Sequence, residues 1–217
     1  MRRVVPLIMI SACALASMAQ RSVAQVPAQS PPQCSLKLTD SPPIRGIKLG
    51  MGKAELKRDF AAFRTSPALF SALVIDVDGV SVPGRKIGGD SFQIITAKQR
   101  PALVKKHNLD GVKQLELGFV DDRLVHINVV YDDSIKWGDA KQFATQLSKT
   151  LNLPNTWGTY FSPDSNKTWY LHCVEFDLEF SWAEKPLWLR VEDLSYSELL
   201  RERAHKFVKK QQKMFRP

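Results

Sequence analysis

The chain has 217 residues, 44% hydrophobic and 24% charged, with 31 Lys and Arg against 22 Asp and Glu and a formal net charge of +9. These values suit one globular domain with its own core and exclude a disordered chain. The excess of positive charge gathers at the C-terminal end, where residues 195–217 hold Arg201, Arg203, Lys206, Lys209, Lys210, Lys213 and Arg216 against Glu198 and Glu202; the body is nearly neutral, so no basic groove for nucleic acid is expected.

The first residues predict a secretory signal peptide over 1–24. Arg2 and Arg3 precede an apolar stretch from Val4 to Ala16, and small residues at Ser17 and Ala19, or Ser22 and Ala24, suit signal peptidase. The apolar stretch is too short to span a bilayer. Ile10-Ser11-Ala12-Cys13 also fits a lipobox with Cys13 as the acylated residue, but the short run before it and the apolar residues after it weigh against that route. A periplasmic or secreted protein is expected. Residues 25–33, rich in Pro, Gln, Ala and Ser, read as a flexible leader. Beyond the signal, Cys34 and Cys173 remain, an even pair in an oxidising compartment, so either a disulfide or two separate thiols is expected.

An α+β domain is expected over 34–194. Ile44 to Leu49 reads as a strand, broken by Gly50-Met51-Gly52, and Lys53 to Phe63 as a helix with Leu56, Phe60 and Phe63 on one face, ending at Ser66-Pro67. Leu69 to Val77 is apolar and fits strand or helix. Val80 to Asp90 reads as a loop, Ser91 to Thr96 as a strand and Arg100 to His107 as a short helix. Val112 to Val120 and Leu124 to Tyr131 alternate around Asp121-Asp122, a β-hairpin with Leu115, Leu117 and Phe119 on one face and Val125, Ile127, Val129 and Tyr131 on one face of the return strand. Trp137 to Leu151 is helical, and Asn155 to Lys167 reads as a polar loop carrying Trp157, Tyr160 and Phe161. Three strands follow, at Trp169 to Val174, Phe176 to Trp182 and Leu187 to Leu194, before a basic amphipathic helix over 195–217. The pattern predicts an antiparallel sheet with helices packed on one face.

The stretch Ile44-Arg45-Gly46-Ile47-Lys48-Leu49-Gly50-Met51-Gly52-Lys53-Ala54-Glu55-Leu56 is a strand ending in Gly-Met before a helix that opens with an acid and an aliphatic residue. It resembles the start of small bacterial envelope domains of the outer-membrane assembly lipoprotein (SmpA/OmlA) and β-lactamase-inhibitor-like type. The wider layout resembles secreted bacterial proteins of unassigned function. The resemblance implies a non-enzymatic α+β domain that binds other proteins.

No catalytic motif is present. His107, His126, His172 and His205 lack metal-ligand spacing, and His172 and Cys173, adjacent on a strand, point to opposite faces, so neither a metal nor a cofactor is expected. Asp76-Val77-Asp78-Gly79 fails as a calcium loop, because Val74 and Arg85 fall on ligand positions. Asp121, Asp122, Asp132 and Asp133 sit where turn chemistry places acids. Two surfaces remain: the terminal helix, with Leu199, Leu200, Arg203, Phe207, Met214 and Phe215 as a stripe beside its basic face, and the aromatics around Trp157 and Tyr160. The sequence therefore predicts a non-enzymatic envelope interaction domain with an unidentified protein partner, met through one sheet face or the basic helix. The alternatives are a binder of anionic lipid or polymer through that helix, and a hydrolase with an unrecognised carboxylate site.

Overall fold

Alternating apolar and polar residues build the centre of the structure. In the computed structural model, which describes residues 34–60, 74–77, 79–96, 101–133, 138–161, 167–182 and 186–214, the strands are β1 (Val74–Val77), β2 (Val80–Pro83), β3 (Gly89–Ile95), β4 (Val112–Val120), β5 (Arg123–Tyr131), β6 (Gly158–Phe161), β7 (Lys167–His172), β8 (Phe176–Ser181) and β9 (Trp188–Asp193). The helices are α1 (Lys53–Asp59), α2 (Pro101–Lys106), α3 (Ala140–Leu151) and α4 (Leu194–Met214). The predicted signal segment with Cys13, the leader, Phe63, Ser66-Pro67, Leu69, Trp137 and Phe215 lie outside the described residues.

Seven strands form one antiparallel sheet in the order β3-β4-β5-β9-β8-β7-β6, and β1 and β2 form a separate hairpin. The large sheet is two meanders joined edge to edge: β3-β4-β5 runs outward, α3 carries the chain away, and β6-β7-β8-β9 returns to lay β9 against β5. Asp121 and Asp122, both at positive φ (48° and 68°), make the two-residue turn between β4 and β5, a conformation that acidic residues tolerate and that matches strand twist.

One face of the sheet is apolar. Leu115, Leu117, Ile127, Val129, Leu178, Phe180, Leu189 and Val191 are buried there, each fully buried large side chain contributing about 1.5–3 kcal/mol. Leu56 of α1, Val104 of α2, and Phe143, Ala144 and Leu147 of α3 pack against this cluster. The Asp139 side chain caps α3 by accepting from the Lys141 and Gln142 amides, and Asn152 in the left-handed region ends it. Cys34 is disulfide-bonded to Cys173, Cα to Cα 4.5 Å, and the Cys34 amide donates to the His172 carbonyl, so the N-terminal segment is pinned beside β7.

Several local expectations differ. Ile44 to Leu49 is no strand: Arg45 and Gly46 take positive φ and close a tight turn, leaving only an Ile44–Ile47 bridge. Val80 to Asp90 is no loop; it holds β2, a 3-10 turn over Gly84–Ile87 and the start of β3. The stretch from Asn155 contains an edge strand, β6. A bulge pairs Gly118 with His126 but Phe119 with Leu124. Leu124 therefore enters the main core, while Val125, expected beside Ile127, turns to a second cluster.

That second cluster is made by α4. Leu200, Ala204 and Val208, four residues apart on one stripe, bury against Val77, Val82, Ile87, Val120 and Val125. The buried Asp193 side chain accepts from the Ser195 amide at 2.9 Å and so caps α4. Arg203 clamps Asp121 with two bonds of 2.8 and 2.6 Å and donates to the Ile87 carbonyl. Gly88 permits this: a Cβ there would lie 2.6 Å from Asp121 and 2.7 Å from Arg203, and its φ is +84°.

Candidate functional site

The same alternation that fills the core aims polar side chains at the opposite face of the sheet. On β8, Phe176, Leu178 and Phe180 point inward, which leaves Asp177 and Glu179 outward. On β9, Arg190 and Glu192 lie outward, alternating with the inward Leu189 and Val191. Strand register then assembles rows. His172 pairs with Asp177, Asp177 with Glu192, and Glu192 with His126, one row across four strands. In the next row Tyr170 pairs with Glu179, Glu179 with Arg190, and Arg190 with Asn128.

Several of these side chains pair with one another. His172 Nδ1 lies 2.5 Å from Asp177 Oδ1, and His126 Nδ1 lies 3.5 Å from Glu192 Oε2. Arg190 Nη1 is 3.7 Å from Glu179 Oε2, and the Tyr160 hydroxyl donates to Glu179 Oε1 at 3.1 Å. The Ser197 hydroxyl, on the first turn of α4, donates to Glu192 at 3.2 Å. A Cβ at Gly118 would lie 3.0 Å from His126 Cβ and 3.6 Å from the Tyr196 hydroxyl, so this glycine lets α4 begin close over the polar face. Beside that first turn lies an open depression of about 290 Å³ lined by Tyr160, Asp177, Glu179, Arg190, Glu192 and Ser197, among others.

The side chains of Asp177, Glu179 and Glu192 are only 30%, 23% and 26% exposed. Burial pushes Asp177 above the ordinary carboxylate value, against the pull of His172, and pushes Glu179 up too, helped by the nearby charges of Asp177 and Glu192. Burial also opposes ionisation of Glu192, but bonds from His126 and Ser197 and the charges of His126 and Arg190 hold it below the ordinary value. Tyr196 is pushed up to about 12 by burial and by Glu192 and Glu116. Arg190 lies 5.0 Å over the Trp188 ring, and its Nε, like Asn128 Oδ1, is buried with no hydrogen-bond partner among the described residues. The site thus holds three partly buried carboxylates and one guanidinium. Among the described residues no three His, Cys, Asp or Glu converge as a metal site.

No family model, no curated protein and no solved structure matches this chain.

The residues singled out in the sequence fall into different places. Tyr160 lies in the depression; Trp157 lies on the other side of the sheet, its Nε1 donating to Ser148 at 2.8 Å and its ring edge-on to Phe180, so it is partly buried against the core. Cys34 and Cys173 are bonded to each other. Arg203 holds Asp121, and Lys206 pairs with Glu202 at 2.6 Å. Arg201, Lys206, Lys209, Lys210 and Lys213 are exposed. Asp121 and Asp122 pair with Arg203 and Lys53 and form no carboxylate site. Sequence reasoning missed Asp177, Glu179, Arg190, Glu192, His126 and His172 as a group. The available signal was the alternation of β8, whose polar positions are acids.

Proposed function

We propose that this chain is an exported, non-enzymatic interaction domain that meets its protein partner with the open polar face of its sheet. The observation that carries the reading is the double row of charged and polar side chains around a depression on that face. The disulfide supports an oxidising compartment; among the described residues no helix is long and apolar enough to cross a membrane. The basic helix is the lesser surface: its apolar stripe is used inside the fold, so docking on an anionic lipid or polymer would rest on charge alone.

The test places a photo-cross-linking residue at Tyr160 or at Lys209 of the exported chain in living cells. The expected result is one partner captured from position 160 and not from 209. Capture from 209 alone would transfer the role to the helix, and silence at 160 would defeat the reading.

One observation favours a second reading. Asp177 and Glu179 are pushed up while Glu192 is held down within one depression, the division of labour a hydrolase asks of an acid and a base. Turnover of a chromogenic ester or glycoside that Asp177→Asn and Glu192→Gln each abolish would establish it.

A further inference from the structure

The occupant of the polar face can be named by its chemistry. On the polar face around the depression the carboxylates Asp177, Glu179 and Glu192 accompany one guanidinium, Arg190, and two imidazoles, His172 beside Asp177 and His126 beside Glu192. Asp193 is already engaged, capping α4 and lying 3.4 Å from Arg123. Arg190 sits at 3.7 Å from Glu179, a loose pair, and spends its ring contact on Trp188. The carboxylates therefore outnumber the guanidinium here, partly withdrawn from water. A positive group placed among these carboxylates gains their attraction in a region of reduced dielectric, while the exposed basic side of α4 repels it, which orients the encounter.

The spacing says what kind of cation. From His172 to His126 the row crosses four strands, about 14 Å at about 4.8 Å per strand, and the two rows lie about 7 Å apart along the strands. Charges so distributed do not converge on a point ion, in keeping with the lack of a three-ligand cluster among the described residues. They match several cationic side chains carried on one polymer. Tyr160 and Tyr170, ring centroids 5.8 Å apart, stand at the outer end, with Tyr160 41% exposed; such rings suit the methylene stems and charged ends of Lys and Arg.

Resting on the reading of the polar face as the docking surface, we infer that its occupant is a Lys- or Arg-rich segment of a polypeptide partner, laid across the Asp177–Glu192 and Glu179–Arg190 rows.

The test is calorimetric titration of the full exported chain with hexalysine, with hexaglutamate and hexaglutamine as controls, repeated on Glu179→Gln/Glu192→Gln. The expected result is hexalysine binding that falls at least tenfold in the double variant and at least tenfold from 50 to 300 mM salt, with neither control binding. These isosteric changes keep shape, and circular dichroism checks the fold. Hexaglutamine binding as well as hexalysine, or a change below twofold in the folded variant, overturns the inference. If hexalysine fails while a photo-cross-linker at Tyr160 still captures its partner, the charge assignment falls and the face remains; if both fail, both fall. Sedimentation run alongside tests a second copy of the chain: a salt-sensitive dimer broken by the double variant makes the basic segment the other copy's α4 and supports the inference, whereas a dimer indifferent to it counts against.

Discussion

At the scale of single residues, the polar face holds charges that folding alone would not favour. Glu179 is raised by burial, so the folded protein accepts its proton before the unfolded chain does. Its carboxylate therefore subtracts from stability at neutral pH, and stability returns as pH falls through the folded value towards the ordinary value near 4. Asp177 carries the same sign. Asp121, lowered by the bond from Arg203, carries the opposite one: its contribution is complete above the ordinary carboxylate value and is lost as pH falls through its folded value. Thermal melts should show Tm rising on mild acidification and then falling. Glu179→Gln should raise Tm at pH 7 by about 1–3 °C and flatten the rise, while weakening hexalysine binding. A lower Tm would mean that the Arg190 and Tyr160 contacts outweigh burial. A stabilising change that removes a ligand contact is what a binding residue, rather than a structural one, is expected to give.

At the scale of elements, α4 is the piece whose meaning changed most between sequence and fold. As a basic amphipathic segment after the last strand it reads as an appendage. In the structure Leu200, Ala204 and Val208 close the second cluster, and Arg203 ties the helix to the β4–β5 turn. Stopping the chain after Arg201 should abolish the soluble folded protein, since it removes two of three buried stripe residues and the clamp. Replacing Lys206, Lys209, Lys210 and Lys213 by Gln should leave Tm within about 2 °C, because exposed substitutions usually shift stability by under 0.5 kcal/mol each. A large loss of Tm in that variant would mean the lysines hold the fold. The segment Gly50 to Lys53 behaves in a similar way: the Gly50 amide donates to the Leu124 carbonyl, and Lys53 reaches Asp90 at 2.7 Å and Asp122 at 3.1 Å, so this stretch locks α1 to the central hairpin.

At the scale of the whole molecule, the sheet is a chain of short antiparallel connections closed by one long crossover through α3 and one long-range covalent link. The Cys34–Cys173 disulfide spans 139 positions. Replacing both cysteines by Ser should lower the unfolding free energy by about 5 kcal/mol on the chain-entropy account, read by urea denaturation. A loss under 1 kcal/mol would mean that the unfolded chain keeps residual structure holding these two positions near each other. One face of the sheet is sealed by α1, α2 and α3, and the other is partly covered by the start of α4. The depression lies where that cover stops.

The amino-acid sequence by itself determined what depends on neighbours in the chain. The period of two in Val112–Val120 and Phe176–Ser181 and the acidic turn at Asp121-Asp122 were legible because a strand and its turn are local devices. The period of Ala140–Leu151 revealed α3, and the even cysteine pair left the disulfide open. What only the tertiary structure decided depends on register. Leu124 and Val125 exchanged places because one bulge shifts which residue faces the core. Trp157 and Tyr160, three positions apart, went to opposite sides of the sheet. His126, Asp177 and Glu192 stand in one row although long stretches of chain separate them, because hydrogen-bonded strands bring distant residues to one lateral spacing. No motif in the sequence records a row that runs across the strands instead of along them.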